Sequence, residues 1–153
     1  MFRIDADIKE LIEGGVGVIV GTGDANARPC CAYGWAPRVG PDGTTVDVFL
    51  DAERADQTLA NLKANGRIAV TSADPVTYQS VQLKGRFRDA GEPDEDDRAW
   101  VQRQREAFLT VTTLIGDPPA VVRNLWLDDV VRVTFAPEAA FDQTPGPDAG
   151  KRL

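Results

Sequence analysis

The chain has 153 residues, 42% of them hydrophobic and 27% charged, with a formal net charge of −7. That length suits one domain burying roughly 68–70% of the surface its unfolded form exposes; no apolar run reaches membrane-span length, and the acidic balance argues against nucleic acid or an anionic membrane as partner. The absence of histidine excludes, within one subunit, a Ser-His-Asp or Cys-His nucleophilic pair, a histidine zinc site and a histidine-ligated haem, so neither metal nor haem is expected.

The opening stretch MFRIDADIKELIEG is charged throughout and lacks the apolar core of a secretory signal, which predicts a cytoplasmic protein. Asp7 is placed to cap a short helix whose Ile8, Leu11 and Ile12 share a face, and Gly14-Gly15 stops it. VGVIVG then reads as a buried strand. The glycines of GGVGVIVGTG open that strand instead of following it at a helix mouth, so they are no dinucleotide fingerprint, and no P-loop sequence is present. After the polar turn TGDANARP, PCCAYGWA predicts a second strand, VGPDGTT a hairpin loop and TVDVFL a third strand. A helix is expected to begin at Asp51, carry Ala55, Leu59 and Leu62 on one face, and end at Asn65-Gly66.

RIAVTS is the fourth strand. Beyond Asp74-Pro75 the stretch YQSVQLKGRF alternates, with Val81, Leu83, Gly85 and Phe87 on one side and Tyr78, Ser80, Gln82, Lys84 and Arg86 on the other. Gly85 predicts a bulge or a close backbone approach. The polar row suits either water or a polar, phosphorylated ligand. GEPDEDDRAWVQRQREAF predicts a helix from near Pro93, and its acidic run from Asp94 to Asp97 complements the positive end of the helix dipole, a cation site being the other reading. TVTTLIG is compatible with continuing that helix without favouring it. Gly116-Asp117-Pro118-Pro119 breaks the chain, AVVRNLWL predicts a short helix with Trp126 as its anchor, and DDVVRVTF predicts the sixth strand. Prolines and glycines past Pro137 predict an extended tail. The expected organisation is one domain over 1–136 and a tail over 137–153.

Short antiparallel strands joined by hairpins and closed by a late strand predict a mainly β (α+β) fold, a six-stranded antiparallel Greek-key barrel with flanking helices. The order ARPCCAYGWA, NLKANGRIAV, YQSVQLKGRF resembles the pyridoxamine 5′-phosphate oxidase-like family with its FMN-binding split barrel, over roughly residues 5 to 136. The tail FDQTPGPDAG is similar to that of some members.

This resemblance implies a homodimer with one FMN in each of two clefts between subunits. The phosphate would be gripped from the second and third strands and the helix after them, and the polar row of the fifth strand would line the cleft. The family's fifth-strand glutamine falls on Ser80, with Gln79 and Gln82 beside it. Its second-strand arginine falls on Ala32 or Tyr33, its third-strand threonine on Leu50, and its arginine-lysine pair on Gln57 and Thr58. Arg54 and Arg28 are the cations left to replace them, and Thr58 is placed to bond a phosphate oxygen at a helix N-terminus. Tyr33 and Trp35 are placed either to stack on the flavin or to fill core or dimer interface. Adjacent Cys30 and Cys31 match no metal or redox spacing and read as small core or interface residues, a reactive thiol being the other reading. Two functions follow. One is an FMN-dependent oxidoreductase acting on a small molecule, with a deazaflavin-dependent reductase as its variant. The other is a dimeric module without catalysis that binds another small ligand or none.

Overall fold

The computed structural model describes residues 1–153. Six antiparallel strands, β1 (Gly17–Gly23), β2 (Pro29–Val39), β3 (Val46–Asp51), β4 (Arg67–Ala73), β5 (Ser80–Gly91) and β6 (Val130–Asp142), close a barrel in the order β1-β2-β3-β6-β5-β4. Four helices flank it: α1 (Ala6–Ile12), α2 (Asp56–Asn65), α3 (Glu95–Leu114) and α4 (Pro119–Arg123). The strand order and the flanking helices match the expected Greek-key α+β barrel.

The barrel closes because alternate residues of every strand are apolar and small enough to meet at its centre. Val18 and Val20 of β1, Val46, Val48 and Leu50 of β3, Val81 and Leu83 of β5 and Phe135 of β6 are all buried in one core. Full burial of each such side chain contributes about 1.5–3 kcal/mol. Gly34 of β2 faces the same interior, where a Cβ would come within 2.9 Å of Val18 and Val20. Outside the barrel a second core packs Trp35, Ala36 and Phe49 against Val101 of α3 and Val130 of β6.

The period-two pattern of β5 holds: Val81, Leu83 and Gly85 are buried, and Lys84 and Arg86 are exposed on the opposite face. Gly85 marks the close approach its sequence position predicts. Its register with β6 shifts between Lys84 and Gly85, and a Cβ there would collide with the carbonyl oxygen of Ala136.

Among the boundaries that differ from the sequence expectation are a fifth strand that begins at Ser80 and not Tyr78, a last helix that ends at Arg123 and not Leu127, and three more with clear causes. The cap of α1 is Asp5, whose carboxylate accepts from Ile8 N at 2.8 Å, because the helix begins one residue before Asp7. Asp51 does not start a helix; it ends β3, and a 3-10 turn at Ala52–Arg54 separates it from α2. The segment past Pro137 is not an extended tail. Pro137 sits opposite Gly85 at the bulge, where a missing backbone donor is tolerated, so β6 continues to Asp142. Residues 143–153 then fold back, with Leu153 N donating to Ala140 O at 2.9 Å and Lys151 O accepting from Asp142 N at 2.8 Å.

Candidate functional site

The outward faces of β1, β2 and β4 carry an aromatic slot of about 320 Å³. Its floor is Gly17, Ile19, Thr71 and Ala73, and its walls include Tyr33, Trp35, Tyr78 and Phe108. Tyr33 and Trp35 lie two residues apart on one face of β2, so their rings stack with centroids 6.4 Å apart and planes inclined by 25°. Tyr33 is 50% exposed, whereas Trp35 is buried beneath α3 and the segment after α4. Phe108 and Trp126 meet the Trp35 ring edge-on, at 6.0 and 5.7 Å. Trp126 thereby anchors the last helical segment to the barrel. Tyr78 closes the far side from the β4–β5 turn with φ of 61°, an unusual conformation for an aromatic residue. That turn is pinned by Asp74, whose carbonyl accepts from Tyr78 N and whose carboxylate accepts from Val76 N, at 2.9 and 2.8 Å.

Trp35 is held by a buried ion pair. The Asp51 carboxylate, 2% exposed, accepts through Oδ1 from Trp35 Nε1 at 3.2 Å, from Arg105 Nη2 at 3.1 Å and from Leu127 N at 3.1 Å. The Arg105 guanidinium lies between Trp35 and Trp126, 5.1 and 5.5 Å from their ring centroids. Burial pushes the Arg105 guanidinium below its ordinary range, against the pull of Asp51 and Asp128. Asp51 Oδ2 is buried with no hydrogen-bond partner.

This ion pair occupies the corner where the resemblance locates a phosphate grip. A cavity of about 200 Å³ there is lined by Cys31, Ala32, Tyr33, Leu50, Asp51 and Arg54. Its one cation, Arg54, is 54% exposed and lies 3.8 Å from Asp51 Oδ2. Two like unit charges about 4 Å apart repel by about 4 kcal/mol at an effective dielectric of about 20. A phosphate dianion beside the unsatisfied Asp51 oxygen meets that repulsion with one shared guanidinium to offset it. Thr58 is fully buried, with Cys30 Sγ 3.8 Å from its hydroxyl, and Gln57 donates to Asn61 at 2.9 Å. Arg28 is exposed in the β1–β2 turn, its backbone N donating to Asp24 at 2.9 Å, and it lines neither cavity. The residues present fit a planar ring in the slot and do not fit an FMN phosphate at the β3–α2 corner.

The fifth-strand candidates divide. Gln82 stays with the outward face, donating to Thr71 Oγ1 at 2.9 Å beside the slot. Ser80 donates to Tyr78 O at 2.9 Å, and with Gln79 it lines a different cavity, between α1 and the end of β6. The cysteines face opposite ways as strand geometry requires, Cys30 towards Thr58 and Cys31 outwards. No group of three or more Cys, Asp and Glu side chains is arranged to hold a metal ion. Asp97, from the acidic run, is buried and bonded to Arg38 and Arg132, the latter at 3.2 Å, while Asp94 caps α3.

Sequence reasoning missed the Asp51–Arg105 pair, Phe108 and the role of Tyr78. One signal for the pair was available: Arg105 falls in the buried stripe of α3 with Val101, Leu109 and Thr112, and a cation in an apolar stripe requires a buried counter-ion.

No family profile matches the chain, and no curated protein matches it in sequence. Solved structures do match. HupZ of Group A Streptococcus is 19% identical with a TM-score of 0.58, covering 96% of this chain and 99% of its own. A Clostridium acetobutylicum protein related to general stress protein 26, of the pyridoxinephosphate oxidase family, is 20% identical at 0.54, covering 98% and 94%. An FMN-binding protein from Syntrophomonas wolfei is 16% identical at 0.53, covering 88% and 82%. At these identities the likeness is one of fold, and it agrees with the closed six-stranded barrel: the chain has the split-barrel fold of pyridoxamine 5′-phosphate oxidase-like proteins.

Proposed function

We propose that the chain is a flavin-using oxidoreductase for a small molecule, working as a homodimer, in which the ring of the cofactor and not a phosphate grip at the β3–α2 corner sets the binding site. The observation that carries this reading is the aromatic slot. Its volume of about 320 Å³ lies within the size range of small-molecule sites, and it is lined mainly by apolar and aromatic groups, with Thr71 in the floor and Asp74 among its polar groups. Tyr33 offers an exposed face for stacking, Trp35 beneath it is fixed by Asp51, and the positive φ of Tyr78 is local strain of the kind that gathers at ligand clamps. A bound flavin supplies the electron transfer itself, which needs no histidine. The FMN-binding protein of the same fold supports the choice of ring. The homodimer is supported by the half-exposed Ile19 and Tyr33, which stand on an outward sheet face beside small residues Gly21 and Ala69.

Riboflavin, which has the ring without the phosphate, tests this reading directly. Its fluorescence is expected to be quenched saturably on titration with the protein. Tyr33→Ala is expected to weaken binding about 2- to 12-fold, the equivalent of the roughly 0.5–1.5 kcal/mol of an aromatic pair. If riboflavin leaves fluorescence and melting temperature unchanged, the reading is wrong. The second reading, a dimeric binding module without catalysis, is favoured by the carboxylate at the expected phosphate corner. Turnover of reduced flavin with small-molecule acceptors separates the two, since a binding module leaves the solution rate unchanged.

A further inference from the structure

We propose that the anionic end of the ligand is received by Arg67, Lys84 and Arg86, a seat on β4 and β5 one step along the sheet from the aromatic slot. This rests on the ring occupying that slot. Arg67 and Arg86 are direct cross-strand partners, and Lys84 lies two residues from Arg86 on the same outward face. Like charges directly opposite one another destabilise a sheet pair. In a chain with 24 acidic residues against 17 basic ones, three clustered cations are unexpected unless something anionic meets them. The protein supplies one carboxylate: Glu138 approaches Arg86 at 3.6 Å, with both side chains well exposed, and Arg86 Nη1 also donates to Asn65 O at 3.4 Å. Lys84 lies 4.8 Å from the Phe141 ring centroid, and neither it nor Arg67 forms an ion pair.

The three cations outnumber one carboxylate, Glu138, around a cavity of about 420 Å³ that Gly21, Ala69 and Gly85 also line. Its lining adjoins that of the slot on three strands. Tyr33 leads to Cys31 on β2, Ile19 to Gly21 on β1 and Thr71 to Ala69 on β4, each two residues further on the same face. Two residues of strand span about 6.6–6.8 Å, the reach of a short carbon chain. Gly21 and Ala69 place no tall side chain between the two cavities. The ligand class is therefore a planar heteroaromatic ring joined by such a chain to a phosphate or similar anion, with the anion on β4–β5 and away from Asp51.

FMN and riboflavin titrations of the wild type, of Arg67→Ala/Lys84→Ala and of Arg54→Ala test the seat. FMN is expected to bind about tenfold or more tightly than riboflavin, as charge-assisted hydrogen bonds to a dianion imply. The double variant should lose that preference while keeping riboflavin affinity, and Arg54→Ala should retain it. Equal binding of FMN and riboflavin to the wild type, or a preference that survives in the double variant or vanishes in Arg54→Ala, overturns the seat while leaving the ring reading intact. Inorganic phosphate probes the seat without any ring: it should raise the melting temperature of the wild type more than that of the double variant, and equal shifts count against the proposal. Both residues are exposed, so without ligand the double variant should melt no lower than the wild type. Failure of riboflavin to bind, with the phosphate difference present, faults the ring reading alone.

Discussion

Replacing Asp51 by Asn tests the buried ion pair that fixes Trp35. The substitution keeps an oxygen able to accept from Trp35 Nε1 and Leu127 N, now at 3.2 and 3.1 Å, so the loss reports mainly the missing charge. Arg105, 4% exposed, is left as an uncompensated buried cation. Breaking a buried pair in this way costs about 3–5 kcal/mol. At about 2–4 °C per kcal/mol for a domain of this size, the melting temperature should fall by roughly 6–20 °C. Arg105→Met should also destabilise, because it strands the Asp51 carboxylate. The double variant Asp51→Asn/Arg105→Met should be less damaged than the sum of the two singles by about 0.5–3 kcal/mol, since removing both partners leaves no orphaned charge. Urea melts of the four proteins close the cycle. Additivity within about 0.5 kcal/mol, or an Asp51→Asn variant as stable as the wild type, refutes the reasoning.

Two further outcomes are expected. Burial pushes the Asp97 carboxyl up, but hydrogen bonds from Arg38 and Asp94 N and the charges of Arg38 and Arg132 more than offset this and leave it below the usual carboxylate range. Its contribution is therefore fully present above the unfolded value near pH ~3.9 and is lost as pH falls through the folded value, so thermal melts below about pH 4 should show a shallower acid limb in Asp97→Asn. An unchanged slope would count against it. Gly85→Ala should destabilise by about 1–3 kcal/mol or more, because its Cβ meets the Ala136 carbonyl in the β5–β6 bulge. A chemical-denaturation midpoint equal to that of the wild type would show that the bulge relaxes freely.

Much of the architecture was legible because it depends on local chemistry. Alternation in YQSVQLKGRF places Val81 and Leu83 inside and Lys84 and Arg86 outside whatever their neighbours are. Gly66 stops α2 because it adopts a positive φ that other residues resist. The site was legible only in part. Tyr33, Trp35 and Gln82 stand at or beside the slot, but Ser80 and Gln79 turn towards another cavity, since Ser80 is drawn to Tyr78 O and Thr144.

What the sequence determined by itself was the inside and outside of β5, the main turns and the lack of histidine chemistry, because periodicity, backbone permissiveness and composition act over a few residues. What the tertiary structure decided was which distant charges meet. Asp51 and Arg105 are 54 positions apart, and Arg67 comes opposite Arg86 only through the β4–β5 register. Coulomb interactions depend on separation in space, and barrel closure brings these groups together across stretches of chain that carry no local signal of the pairing.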